Sequence, residues 1–374
     1  MGPLAIVLFF VGILVIILIH EAGHYLVARA YGFRVEQYFV GFGPKLWSFR
    51  RGEIEYGVKA LPLGGYVKIA GMNPYETVAD ADRPRSYGSK PRWQRALVIF
   101  AGPGSHFVVA ALLFASLFTF FGVADANVPL VSSVAPTLNG SASPAVLAGV
   151  RPGDVITGVG DVRDPTWDQL SRTTTAWARD HANSPLSFTI LRQGRTIHLD
   201  IVPVLAEVGG RTIGRIGITL GPRKRGIVGS ITGGTTLVGR TAVGSVQQIG
   251  HIFGPQGIGR VFSLLFTEAP RKVSDSTSLY GVGQQVDALG SAGDWSSLLY
   301  LLGYVTVFIG MINLVPLPPF DGGHLAVLAI EKIRGRTIDM RKLIPISAAV
   351  MGFFILFVMA TVFLDITKPL PISP

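Results

Sequence analysis

Four stretches of this chain are long enough and poor enough in charge to cross a bilayer, which takes about 20 apolar residues: Leu4 to Ala28, Ala96 to Ala124, Ser296 to Phe320 and Leu343 to Leu364. A lipid interior offers backbone amides no water, so such segments are expected as helices. Composition agrees. Of 374 residues, 49% are hydrophobic and only 15% are charged, against roughly 25% charged in soluble domains, which excludes a disordered polyelectrolyte. With no cysteine, a disulfide framework or a thiolate zinc site is excluded as well. A tightly held metal must therefore use His and carboxylate. The first stretch lacks a basic leader and carries His20, Glu21 and His24 toward its end, so it is read as a retained span rather than a cleaved signal.

The net charge of +10 sets topology rather than marking a nucleic-acid surface. Eleven Lys/Arg and six Asp/Glu lie between Arg34 and Arg95, and five more basic residues lie between Lys332 and Lys342. By the positive-inside rule these loops face the cytoplasm, which places both termini and the segment from about Asp125 to Trp295 outside. No basic stripe interleaved with aromatics is present, so no nucleic-acid partner is expected. The lipid bilayer is.

Between the second and third spans the composition becomes that of a soluble module. A strand near Ser133, a short helix opened by Pro144, the turn Pro152-Gly153-Asp154, a helix around Trp167 to Ala178, and two alternating strands, Leu186 to Leu191 and Thr196 to Val202, follow one another. Residues 128–221, with the core Ala148-Gly149-Val150-Arg151-Pro152-Gly153-Asp154-Val155-Ile156, resemble a PDZ domain of the bacterial protease-associated type. Such a domain adds a peptide or chain end as a strand beside a sheet edge. Residues 222–295 are Gly- and Ser-rich and read as a linker with an interfacial helix.

His20-Glu21-Ala22-Gly23-His24 carries the chemistry. Positions i and i+4 share a helix face, so two imidazoles can meet one metal ion while Glu21 reaches a water at its open position. Ionisable groups inside an apolar span are costly unless paired or functional. Zinc suits the set and needs a third protein ligand. His20 lies roughly 25 Å along the axis from Leu4, toward the cytoplasmic face. The third span, running the same way, ends in Asn313-Leu314-Val315-Pro316-Leu317-Pro318-Pro319-Phe320-Asp321-Gly322-Gly323-His324. Asp321 is the expected third ligand, with His324 as the competitor.

Together these residues resemble the site-2 protease family of intramembrane zinc metalloproteases, in particular its bacterial PDZ-containing branch that cleaves anti-sigma factors, the regulator of sigma-E protease type. The resemblance implies that His20, His24 and Asp321 bind one Zn2+, that Glu21 is the catalytic base and that Asn313 helps position substrate or stabilise the transition state. Gly41-Phe42-Gly43-Pro44, with Glu53 to Lys59 and Pro62 to Lys68, looks like the family's membrane re-entrant β hairpin and edge strand, which makes Gly41 and Gly43 substrate-binding candidates. A substrate helix must unwind before water can attack it, and a strand edge offers partners for its freed amides. Phe100-Ala101-Gly102-Pro103-Gly104-Ser105-His106 is similar to the family's Gly-Pro motif, except that His106 stands where an Asn is usual.

The expected protein is a polytopic α-helical membrane protein of the bacterial plasma membrane. A membrane core over 1–124, with spans at about 4–28 and 96–124 and a β segment at about 35–70, is followed by the extracytoplasmic PDZ module and the linker. A second core part follows over 296–374. The expected reaction is hydrolysis of a peptide bond in a single-span membrane substrate, by the resemblance a trimmed anti-sigma factor. A metal transporter would call for more intramembrane carboxylates than Glu21 and Asp321. A PDZ adaptor with a closed structural metal would call for a fourth protein ligand.

Overall fold

The computed structural model describes residues 2–73, 75–124, 129–208, 211–272 and 275–369. The chain divides into two compact units, one built from Met1–Ala115 with Ile231–Pro374 and the other from Ser116–Ser230.

Helix α1 (Gly2–Ala30) explains the first unit's logic. Its buried residues include Ala5, Phe9, Ile13, Ile16 and His20, three or four apart and therefore one stripe of the helix. Its other faces expose Leu4, Val7, Leu8, Val11 and Val15, as a lipid-facing helix does and a water-facing one does not. The chain then forms a long hairpin of β1 (Val35–Arg51) and β2 (Ile54–Ile69). Gln37–Val40 is paired on both sides, with Lys68–Gly65 on one and Glu55–Val58 on the other. Among the described residues Gly65–Ile69 therefore pairs on one side only and leaves an open edge. Glu53, at the hairpin turn, receives Arg85 at 2.6 and 2.8 Å and is paired with Arg34 as well. The Arg85 hydrogen bonds, with the Arg34 charge, hold its carboxyl down at about 2.

Helix α2 (Arg92–Ser116) returns across the unit. In the second unit, helices α3 (Pro144–Leu147) and α4 (Trp167–Asp180) accompany a sheet ordered Arg195–Ile201, Leu186–Arg192, Val155–Val159, Val162–Arg163. Both turn residues between the first two of these strands, Gln193 and Gly194, have positive φ, the conformation a two-residue hairpin of this twist requires. Val131, Ile156, Leu170, Phe188, Ile190 and Ile216 are among the residues filling the core. Among the described residues this stretch runs as strand Val131–Val134, helix α3, strand Val155–Val159, helix α4 and the paired strands Leu186–Arg192 and Arg195–Ile201; Val128, Gly209 and Gly210 lie outside them.

Asp154 is buried at the turn before Val155–Val159. It accepts two 2.7 Å bonds from Arg192 and one of 2.8 Å from the Arg151 N–H. Burial alone would raise its pKa, but these bonds outweigh it and hold the carboxyl below the usual range. Asp154→Ala is expected to destabilise this unit by about 1–3 kcal/mol, because Arg192 and the Arg151 N–H lose their charged acceptor. A depressed pKa stabilises the fold above the unfolded-state value of about 4 and loses that contribution as pH falls toward the folded value. In the wild type an acid unfolding transition of this unit is expected below about pH 4, and Asp154→Ala should flatten it; near-ultraviolet circular dichroism against pH reads both.

The segment 222–295 is a correction to the linker reading. It holds three helices, α5 (Ile227–Phe253), α6 (Pro255–Phe266) and α7 (Leu279–Ser291). Its glycines do not break these helices, although each costs about 1 kcal/mol against Ala in a helix interior. Some of them are contact surface, whereas Gly239, Gly244, Gly250 and Gly259 face open space. A Cβ on Gly290 would lie 2.4 Å from Ala5 Cβ, so α7 reaches α1 only because that carbon is absent. The segment before α7 is anchored by the buried Arg271–Asp365 pair at 2.6 Å, with Ser278 also donating to Asp365 at 2.6 Å.

Helix α8 (Trp295–Asn313) ends seven residues before the expected limit at Phe320. Pro316, Pro318 and Pro319 cannot continue a helix. The freed backbone closes in turns instead, with Val315 N–H on Ile312 O at 3.0 Å and Phe320 N–H on Leu317 O at 3.1 Å. Helix α9 (Asp321–Arg334) and α10 (Ile344–Thr367) complete the unit. Among the described residues four helical stretches, Gly2–Ala30, Arg92–Phe121, Trp295–Asn313 and Met340–Thr367, are long and apolar enough to cross a membrane.

Candidate metal centre

Three side chains from two helices converge on one point. Helix α1 supplies His20 and His24 one turn apart, and α9 supplies Asp321 from its first residue. The loop from α8 turns back tightly enough that a Cβ on Gly322 would lie 2.3 Å from Leu314 C and O, so the residue after Asp321 must be small. His20 Nε2 lies 3.2 Å from His24 Nε2 and 3.2 Å from Asp321 Oδ2, and His24 Nε2 lies 3.4 Å from that oxygen. Ligands about 2.0–2.1 Å from a tetrahedral zinc are about 3.3–3.4 Å from one another. The triangle has the edges of one face of that tetrahedron.

The hydrogen bonds behind the triangle point the same way. His24 Nδ1 lies 2.8 Å from the Val98 carbonyl of α2. A carbonyl only accepts, so Nδ1 carries the proton and Nε2 of a neutral ring presents a lone pair. That lone pair faces an anionic carboxylate oxygen, an arrangement that calls for a cation between them. His106 Nε2 lies 3.1 Å from His20 Nδ1 on the far side of the other ring. Among the described residues His20, His24 and Asp321 form the one group of three or more His, Cys, Asp or Glu side chains with spacing fit to hold a metal.

Glu21 lies beside the triangle, within electrostatic reach of all three groups, and accepts the Val67 N–H. A Cβ on Gly65 would be 3.0 Å from Glu21 Cγ. The open edge of the β sheet thus borders the Glu21 carboxylate, and Tyr38 Oη, donating to Leu18 O at 3.0 Å, ties the sheet to α1.

The chain matches peptidase family M50 over residues 8–359. It belongs to that family, the site-2 proteases. It is 32% identical over 409 residues to zinc metalloprotease Rip1 of Mycobacterium tuberculosis strain H37Rv, covering 98% of each chain. It is 33% identical over 416 residues to zinc metalloprotease Rip1 of Mycolicibacterium smegmatis, covering 100% of this chain and 99% of that one. Metalloprotease MmpA of Caulobacter vibrioides is 30% identical over 361 residues, 86% of this chain and 85% of that one. This M50 chain is a zinc metalloprotease of the membrane, with several spans.

Of the other sequence candidates, Asn313 is the last residue of α8, half-buried, where the proline loop begins. Gly41 and Gly43, with φ of 85° and 84°, lie at the kink of β1, whereas the sheet residues in contact with Glu21 are Gly65 and Val67. His324, one turn into α9, is not part of the triangle and lines a separate cavity of about 190 Å³ with Tyr87, Arg95 and Glu331.

Sequence reasoning passed over Gly102 and Gly23. A Cβ on Gly102 would lie 2.3 Å from His24 Nε2 and 2.8 Å from His20 Cε1, and one on Gly23 would lie 2.4 Å from Ala101 O. The two helices cross backbone to backbone at the metal site. The signal was present, a glycine inside each motif, but small residues in spans have many uses and do not name their partner.

Proposed function

We propose that this protease is an intramembrane endopeptidase in which His20, His24 and Asp321 hold the zinc and Glu21 is the catalytic base. Zinc, when bound, supplies a Lewis acid that polarises the scissile carbonyl and acidifies a water. Glu21 takes a proton from the attacking water and returns it to the leaving amine. The edge Gly65–Ile69 holds an unwound stretch of substrate as an added strand, and Asn313 lies on the substrate side of the proline loop. The observation that carries this reading is the placement of a metal-sized triangle, a carboxylate and an open strand edge around one point.

The substrate is a transmembrane segment of a single-span protein, by family resemblance a trimmed anti-sigma factor. The hairpin dips into the bilayer. Leu46, Trp47 and Phe49 are exposed on it, a composition that suits lipid contact. Residues 128–221 act as a PDZ module outside the membrane, with both termini on that side and the basic loops inside. A groove of about 180 Å³ between α4, through Trp167, Leu170 and Thr174, and the stretch 213–218 suits capture of a chain end and supports a gate that admits trimmed substrates.

Reconstitution with a single-span substrate tests the mechanism. Glu21→Gln is expected to lower the cleavage rate at least 10²-fold, the lower range for a general base, while zinc content stays at one per chain. Cleavage at the wild-type rate would remove Glu21 from the reaction.

A further inference from the structure

We propose that His106 is a positioning residue that holds His20 in the one tautomer able to bind the metal. The inference rests on the ligand assignment above and concerns a residue where this chain departs from the usual family pattern. His106 is 1% exposed. Its Nε2 is 3.1 Å from His20 Nδ1, on the side of the His20 ring away from Asp321 and His24.

A neutral imidazole has one N–H and one lone pair. For His20 Nε2 to offer its lone pair, Nδ1 must carry the proton, and a buried N–H needs an acceptor. His106 Nε2 is that acceptor, which puts the proton of His106 on its own Nδ1. That Nδ1 is buried with no hydrogen-bond partner among the described residues. A residue that only packed would gain by losing this orphaned group, so the arrangement fits a role fulfilled through Nε2. The opposite tautomer, His106 donating to His20, would place the His20 proton on Nε2 and close the metal position.

The backbone of α2 makes the arrangement rigid. Val98, Gly102 and His106 are four residues apart and share one face. The Val98 carbonyl fixes His24, Gly102 clears space for both rings, and His106 fixes His20. From behind, Gly310 of α8 leaves no slack, since a Cβ there would lie 2.9 Å from His106 Cβ. One stripe of α2 thus orients both imidazoles, the outer-shell role that a carboxylate or carbonyl commonly fills in zinc sites.

The test compares the full-length protein in detergent as wild type, His106→Leu, His106→Gln and His20→Ala. Zinc affinity is read by chelator competition, and the cobalt-substituted absorption spectrum is recorded for each. His106→Leu is expected to weaken zinc about 10–100-fold and to shift the cobalt bands. His106→Gln, whose side-chain oxygen can accept from His20, should recover most of both. Leu and Gln variants that both stay within threefold of wild type, or that both fall equally, would overturn the positioning role. If the Leu variant does not fold, the Gln variant and Gly310→Ala, which displaces His106 without removing it, decide: wild-type affinity and spectrum for Gln with weakened zinc for Gly310→Ala support the role, and any other pairing overturns it. His20→Ala separates the two levels. Retained zinc there would remove the ligand assignment, whereas lost zinc with an unaffected His106→Leu would remove only the role of His106.

Discussion

Asp321→Ala is expected to lower zinc affinity by two to three orders of magnitude and to abolish cleavage in the same step. Structural zinc in small peptides binds with about 10–16 kcal/mol in total, which spread over four positions is about 2.5–4 kcal/mol each, equivalent to about that range of affinity. The loss should sit at the upper end because Asp321 is the sole carboxylate in the triangle and lies 3.2 and 3.4 Å from the two imidazole nitrogens. Without it a dication would be held by two neutral rings alone, with Glu21 beside them but outside the triangle. Asp321→Asn keeps the shape and one oxygen but not the charge, and should fall between the two. Chelator competition gives the affinity. Since a ligand that binds only the folded state raises its stability with concentration, the zinc-dependent rise in melting temperature should vanish in Asp321→Ala and survive in Glu21→Gln. A zinc-dependent rise of wild-type size in Asp321→Ala would sink the assignment and bring His324 back as the third ligand.

The contrast between Glu21 and Asp321 shows which parts of this site the chain advertises. Two histidines four apart inside an apolar run are rare enough to be read directly, and counting 1.5 Å rises brought the end of the third span to the same depth. Both depend on chemistry that an amino-acid letter carries. What supports the ligands and the base is backbone: the Val98 carbonyl behind His24, the Val67 N–H at Glu21 and the bare α-carbon of Gly102. Every residue has a carbonyl and all but proline an N–H, so no letter marks the ones that matter. The helices α5 to α7 were hidden for a related reason. Their glycines read as loop signals because propensity penalises them, while the structure uses Gly290 where α7 meets Ala5. Tertiary contact decides that position, and propensity cannot see it. The early end of α8 was legible in the sequence, since three prolines in four residues break the helix before Phe320 even though the apolar span runs on to it.

Gly102→Ala is the substitution in which that backbone support should fail most visibly. In a helix interior, exchanging Gly for Ala ordinarily stabilises by about 0.5–1 kcal/mol. Here the added methyl would sit 2.3 Å from His24 Nε2, 2.5 Å from its Cε1 and 2.8 Å from His20 Cε1. Neither ring can turn aside cheaply, because His24 is held on Val98 O at 2.8 Å and His20 on His106 at 3.1 Å. Nor can α2 slide closer elsewhere, since Gly23 already faces Ala101 O with no room for a side chain. The helices must part or a ligand must leave, and overpacking of this kind costs about 1–3 kcal/mol or more. Zinc affinity is therefore expected to fall by about 10-fold to 100-fold or more, while Gly352→Ala in α10, where a methyl meets nothing within 4 Å, should leave zinc unchanged and the protein equally or slightly more stable. Chelator competition and melting curves on the two variants side by side decide it. If Gly102→Ala bound zinc like wild type, the backbone crossing of α1 and α2 would not be what shapes the metal site.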